Sequence, residues 1–185
     1  MSSFASGEQF VDSMRQERSG TGLKDQVSRL FEEARDDVYR YLLTIGLHPP
    51  QAQEATQEVF LRLYATLRKG EEIQNPRAWI FRVAHNLGLK IRSRQHSEEP
   101  FEPELGARYA ASVTSTPESD LIERERMLRF HNAVGELSEQ QRRCLFLRME
   151  GLRYPEIGST LGISASAVGE FLRRAMVRLK KVRDE

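Results

Sequence analysis

A chain of 185 residues holds one domain or two small ones, and 39% apolar with 30% charged residues is the make-up of an ordinary folded, soluble polypeptide. No apolar run has the length a membrane span needs, since the richest, 41–47 and 79–84, are short and interrupted. The start, Met1-Ser2-Ser3-Phe4-Ala5, lacks the basic-then-apolar order of a secretory leader, so the expected location is the cytoplasm.

In chain order, residues 1–23 read as a weakly ordered tail, although Phe10, Val11 and Met14 have the spacing to seat a short helix. Val27, Leu30, Phe31, Ala34, Val38, Tyr41 and Leu42 then stripe a long helix that should stop at Gly46. His48-Pro49-Pro50 opens a second helix with Ala55, Val59, Leu63 and Leu67 on one face, ending near Gly70. Asn75-Pro76 places a capping side chain before a proline at the first helical position, and predicts a third helix to about Gln95.

Residues 97–116 are rich in Pro, Gly, Ser, Thr and Glu and poor in large apolar side chains, so they cannot bury enough surface to offset the entropy of ordering. They are expected to be a linker. Thr116-Pro117 starts a helix running through Leu137, and Ser138-Glu139-Gln140-Gln141 is a capping box for the next. The expected fold is therefore all-α: a first helical domain over 24–96, the flexible acidic linker over 97–116, and a second helical domain over 117–185.

The net charge of only +1 hides a strong asymmetry. Between Pro76 and His96 stand five basic residues and no acid, and between Leu161 and Arg183 six basic residues face the single Glu170. Between Ser97 and Asp120 the balance reverses to six acids against Arg108. Two basic helices thus flank an acidic connector, a distribution that points to a polyanionic partner.

Catalysis finds no support in the sequence. Cys144 is the lone cysteine and sits in the apolar run Cys144-Leu145-Phe146-Leu147, where a small buried thiol is expected. His48, His85, His96 and His131 are scattered, with no metal-ligand spacing and no nucleophile motif, so neither metal nor cofactor is expected.

On the third helix, Ile80, Val83, Ala84, Leu87 and Ile91 form the expected buried stripe. Arg82, His85, Asn86 and Ser93 are then expected outside, with Trp79 and Lys90 on one flank. A basic, polar face with an aromatic beside it suits single-stranded nucleic acid, because phosphates need cations and unstacked bases need a flat partner. The plainer alternative is a solvated helix face with Trp79 in the core.

In the last third, Tyr154-Pro155-Glu156-Ile157-Gly158 and Leu161-Gly162-Ile163-Ser164 precede a helix from Ala165. Val168, Leu172, Ala175 and Leu179 make its inner stripe and leave Ser166, Glu170, Arg173, Arg174 and Val177 outward. Gly162 supplies the tight turn and Ser164 the cap of a helix-turn-helix whose second helix enters a major groove. A helical hairpin with a basic solvated tail is the alternative.

The stretches Gln57-Glu58-Val59-Phe60-Leu61-Arg62-Leu63-Tyr64 and Pro76-Arg77-Ala78-Trp79-Ile80-Phe81-Arg82-Val83-Ala84-His85-Asn86 resemble the second conserved region of extracytoplasmic-function sigma factors of bacterial RNA polymerase. Leu137-Ser138-Glu139-Gln140-Gln141-Arg142, with Met149 to Gly158 and Leu161-Gly162-Ile163-Ser164, resembles the fourth region of the same group within the sigma-70 family.

This resemblance implies a promoter-specificity subunit that binds core RNA polymerase and promoter DNA and is held by an anti-sigma factor. It implies polymerase contacts at Glu54, Gln57, Glu58, Leu61 and Tyr64. It implies minus-ten reading by Lys69, Gln74, Asn75, Arg77, Trp79, Arg82, His85, Asn86 and Lys90. For the minus-thirty-five element it implies Arg153, Ser164, Ser166, Ala167, Glu170, Arg173, Arg174 and Arg178. The acidic linker would thread a basic polymerase channel, or serve as a solvated tether. Gly169-Glu170-Phe171 departs from the group's usual basic, small polar and arginine residues, so its base contacts do not carry over there. The competing reading is a stand-alone helix-turn-helix regulator.

Overall fold

Helix boundaries fall where the sequence punctuates them. The computed structural model describes residues 5–95, 129 and 132–184, with side chains described for 22–94, 129 and 132–181. The expected linker and the expected helix start at Thr116-Pro117 lie outside the described residues.

The elements are α1 (Ala5–Ile45), α2 (Pro49–Arg68), α3 (Pro76–Gln95), a helical turn at 132–135, α4 (Glu139–Met149), α5 (Tyr154–Leu161) and α6 (Ala165–Asp184). No strand occurs among the described residues.

The first helix begins at Ala5, inside the stretch expected to be a weakly ordered tail with room for a short helix. The run from Gly7 to Ser19 holds no proline, and Gly20 and Gly22 each cost only about 1 kcal/mol relative to alanine, which weakens a helix without ending it. Gly46, at φ +105°, does end it: the Gly46 N–H donates to the Leu43 carbonyl and the Leu47 N–H to the Leu42 carbonyl, closing the last turn.

α1, α2 and α3 enclose Val38, Tyr41, Leu42, Ile45, Val59, Leu63, Ile80, Phe81 and Ala84, all fully or almost fully buried. Phe31 meets Phe60 edge-on at 5.0 Å between ring centres, packing α1 against α2. α3 crosses α1 closely at Gly88, where a methyl group would stand 3.0 Å from Leu42 Cδ2 and 3.1 Å from Ile45 Cδ1.

The second bundle closes on Leu137, Cys144, Leu147, Leu152, Ile157, Val168, Leu172 and Ala175. Its capping box forms as the spacing requires: the Gln141 N–H donates to Ser138 Oγ at 3.3 Å and the Ser138 N–H donates to Gln141 Oε1 at 3.0 Å. The two bundles touch, and their cores are continuous. Phe146 of α4 lies 5.3 Å from Tyr41 and 6.4 Å from Phe81, ring centre to ring centre, joining one core to the other.

Candidate nucleic-acid interface

The helix-turn-helix is built from backbone chemistry. Gly162 takes φ +68°, ψ 33°, which an L side chain adopts only at a cost, and so reverses the chain in one residue after α5. The Ile163 N–H then donates to the Gly158 carbonyl at 3.0 Å. Gly158 is the complement of that turn, since a methyl group there would lie 2.6 Å from the Ile163 carbonyl oxygen. Ser164 Oγ accepts from the Ala167 N–H at 3.1 Å and caps α6.

With Val168, Leu172 and Ala175 buried, α6 presents Ser166, Arg173, Arg174 and Arg178 to solvent, with Glu170 half-buried among them and Ala167 at the edge. Glu170 accepts from Arg173 Nε and Nη2, both at 2.9 Å, and from Arg174 Nε at 2.7 Å. Hydrogen bonds from Arg173 and then Arg174 hold its carboxyl down at about 2. The outer face is therefore an arginine pair anchored on one carboxylate, not a free acid. Arg178 pairs with Glu136 at 2.9 Å, and Arg153 lies exposed with its guanidinium on Glu156 at 2.8 Å.

Gly169, which the sequence left unexplained, faces the Tyr154 ring, with Tyr154 Cε2 3.5 Å from where a methyl group would stand. Phe171 is partly buried and packs on the core.

In the first bundle, a cleft of about 520 Å³ runs along the 71–75 loop and the first turns of α3, lined by Gln74, Asn75, Trp79 and Arg82 among others. Trp79 is both partly buried against the core and exposed along this cleft, so the two readings of it meet in one side chain. Lys69, Gln74, Arg82, Asn86 and Lys90 are exposed.

Two expected readers, His85 and Arg77, face elsewhere, and a third, Asn75, lines the cleft with its side chain already engaged. His85 is 4% exposed and its Nδ1 lies 3.0 Å from the Tyr41 hydroxyl. Burial, reinforced by the charge of Arg143, pushes its pKa down to about 4, so it stands neutral. The expectation of an outward His85 fails because α3 is covered on two sides, by α1 and by the second bundle. Its buried arc is therefore wider than one stripe and takes in Phe81, His85 and Gly88.

Arg77 donates to Asp37 Oδ2 at 2.8 Å, to the Glu150 carbonyl at 2.9 Å and to the Glu150 carboxylate. Asn75 accepts from the Ala78 N–H at 3.1 Å as the α3 cap and donates to Glu156 Oε1 at 2.8 Å. Burial opposes the charge of Asp37, but hydrogen bonds from Arg77 hold its carboxyl below the usual range; burial and the neighbouring Asp37 push Glu150 up.

On the far side, Gln57, Leu61 and Tyr64 of α2 line a groove of about 590 Å³ with Val27, Phe31 and Phe60. Leu61 is 64% exposed there, while Glu54 stands exposed and Glu58 half-buried in an ion pair with Arg62 at 2.7 Å. Cys144 is fully buried and burial pushes its thiol up to about 11, the inert thiol expected. Among the described residues no group of three His, Cys, Asp or Glu is placed to hold a metal, and no helix is long and apolar enough to cross a membrane.

Residues 30–97 match the family model Sigma-70 region 2, and residues 127–179 match Sigma-70, region 4. The chain belongs to the sigma-70 family, in its extracytoplasmic-function group. It is a promoter-specificity subunit of RNA polymerase. It is 29% identical over 171 residues to the ECF RNA polymerase sigma factor BldN of Streptomyces coelicolor, covering 90% of this chain and 63% of BldN. It is 24% identical over 159 residues to the RNA polymerase sigma factor YlaC of Bacillus subtilis, covering 85% of this chain and 92% of YlaC.

In fold, this sigma factor is similar to RpoE of Bartonella quintana, solved with the anti-sigma factor NepR, at a TM-score of 0.62 and 20% identity over 85% of this chain and 96% of that one. CnrH, solved with the cytosolic domain of CnrY, gives 0.55 and 20% over 91% and 94%.

Proposed function

We propose that this sigma factor works by bipartite recognition. Residues 24–96 dock on core polymerase and read the minus-ten element, 117–185 read the minus-thirty-five element, and 97–116 connect them. The observation that carries this reading is the helix-turn-helix whose turn, cap and inner stripe together aim Arg173 and Arg174 outward. Neither domain offers enough surface to hold DNA tightly alone, so tethering to one polymerase raises the effective concentration of the second contact.

The α2 groove is the polymerase face: an apolar Leu61 at 64% exposure between Gln57 and Tyr64 has the composition of an anchor awaiting a partner. In the first domain, Lys69, Gln74, Asn75, Trp79, Arg82, Asn86 and Lys90 are the readers with side chains at the surface or along the cleft. Few aromatics line α3, which limits the stacking available for strand separation and favours well-matched promoters. The protein performs no catalysis of its own, needs no cofactor and acts in the cytoplasm. An anti-sigma factor as regulator is supported by the folds it resembles, two of which were solved with such a partner or with the cytosolic domain of a second protein.

Run-off transcription from fragmented genomic DNA with purified core polymerase, with and without the protein, tests this. New starts sharing a two-part upstream motif are expected. No new starts and no co-purification with core polymerase would replace the reading with a stand-alone regulator.

A further inference from the structure

The ridge of α6 that faces away from the core carries an acid where a DNA-facing surface is expected to be basic. By helical geometry Ser166, Glu170, Arg173 and Val177 share that ridge, opposite the buried Val168, Leu172 and Ala175, with Arg174 beside it. A bare carboxylate there would repel phosphate. Glu170 is not bare: Oε1 accepts from Arg173 Nη2 at 2.9 Å and Arg174 Nε at 2.7 Å, and Oε2 accepts from Arg173 Nε at 2.9 Å. With roughly four acceptor positions on a carboxylate and three filled, little capacity is left for a base amine.

These bonds engage the two arginines unequally. Arg173 commits the Nε–Nη2 edge of its guanidinium to the carboxylate. Arg174 commits only Nε, and its Nη1 and Nη2 have no hydrogen-bond partner among the described residues. That open edge is the two-pronged donor that fits guanine O6 and N7. Long helical side chains lean towards the N-terminus, and the bond to Glu170 draws the Arg174 head back over the turns that lead into a major groove.

We propose that Glu170 is a positioning residue for specificity: it holds Arg174 with the Nη1–Nη2 edge outward as the reader of a guanine in the upstream promoter element, and holds Arg173 as the cation that offsets its own charge. The place of that guanine rests on the minus-thirty-five reading of the second domain. Glu170 acts through Arg174 and touches no base. Its replacement therefore separates two quantities: Glu170→Gln adds one net positive charge, which strengthens contact with phosphates of any sequence, while selectivity for guanine declines.

The test uses holoenzyme assembled from core RNA polymerase and the full chain, on a promoter recovered by run-off transcription. Its upstream and minus-ten elements are randomised in separate pools, and sequenced transcripts give the preference at each position. Arg174→Ala should lower guanine preference at one upstream position roughly tenfold, the loss of one bidentate contact. Glu170→Gln should lower it at the same position roughly threefold, the scale of exposed ion pairs, and raise output from mismatched elements. It should leave the minus-ten preference and the thermal melt unchanged, which a general structural defect would not. Added to Arg174→Ala, it should change that position no further, since both act on one contact.

Unchanged preferences in Glu170→Gln would reduce the carboxylate to a surface pair and overturn the proposal alone. Loss of a cytosine preference with guanine retained would make Glu170 a direct reader, and also overturns it. A parent element lacking guanine, or a guanine preference that survives Arg174→Ala, would overturn the assignment to Arg174. A parent with no preference anywhere in the upstream element would overturn the minus-thirty-five reading as well.

Discussion

Replacing Gly158 by alanine should damage the helix-turn-helix, although alanine is the better helix former. Gly158 lies inside α5, where alanine is worth about 1 kcal/mol over glycine. Against that gain, the new methyl group would stand 2.6 Å from the Ile163 carbonyl oxygen and 3.5 Å from the Ala165 nitrogen. The clash is with backbone, and no rotamer relieves it. The turn must shift, straining the αL residue Gly162 and the Ile163-to-Gly158 hydrogen bond. Overpacking of this kind costs about 1–3 kcal/mol, with backbone clashes towards the upper end, so a net loss of about 1–2 kcal/mol remains.

For a domain of this size, such a loss lowers the melting temperature by roughly 5–15 °C. Gly169→Ala is the matched control: its methyl group would make ordinary contact with the Tyr154 ring at 3.5 Å, so the helical gain survives as a rise of up to about 1 kcal/mol. Thermal and urea melts followed by circular dichroism measure both. A Gly158→Ala protein as stable as the parent, or a Gly169→Ala protein as damaged as Gly158→Ala, would refute the close-approach argument.

Stability should also fall on acidification. His85 has a folded pKa of about 4 against an ordinary 6.5, so between those values the unfolded chain binds the extra proton and stability drops as pH falls through that window. The full effect is at most about 3 kcal/mol, and urea midpoints at pH 7, 5.5 and 4.5 should trace it, flattening in His85→Gln. Tyr41→Phe removes the hydroxyl at 3.0 Å from His85 Nδ1 and should cost about 1–2 kcal/mol in the same melts; no change would mean the pair contributes nothing. Leu61→Ser should leave the melt within about 0.5 kcal/mol, because the side chain is exposed, yet weaken capture of core polymerase roughly tenfold. Undiminished capture would remove α2 from the polymerase face.

The helices, their stops and the helix-turn-helix were legible because each depends on local signals: Gly46 and Gly162 at positive φ, Asn75, Ser138 and Ser164 as caps, and apolar periodicity in α6. The arc of α3 was only half legible. Periodicity identifies one buried stripe, but a second surface pressing on the same helix buries His85 and Phe81 as well, and that surface comes from α4, over fifty residues further along the chain. Arg77 and Asn75 were recognisable as functional types, yet their partners Asp37, Glu150 and Glu156 are distant in sequence and carry no local signature. Gly158 had a readable trace after all: a glycine inside a short helix just before a turn costs stability unless something must approach it closely.

The charge pairs between the two bundles also bear on how ionic strength acts. Added salt displaces a protein from DNA because each neutralised phosphate releases counterions that must be recaptured on dissociation. The same salt screens Arg92 from Glu139 and, less strongly, Arg77 from its two carboxylates, and so loosens the contact between the bundles. A fall in DNA affinity with salt is therefore not by itself a count of phosphates held, since part of the protein's own charge is committed to keeping its domains together.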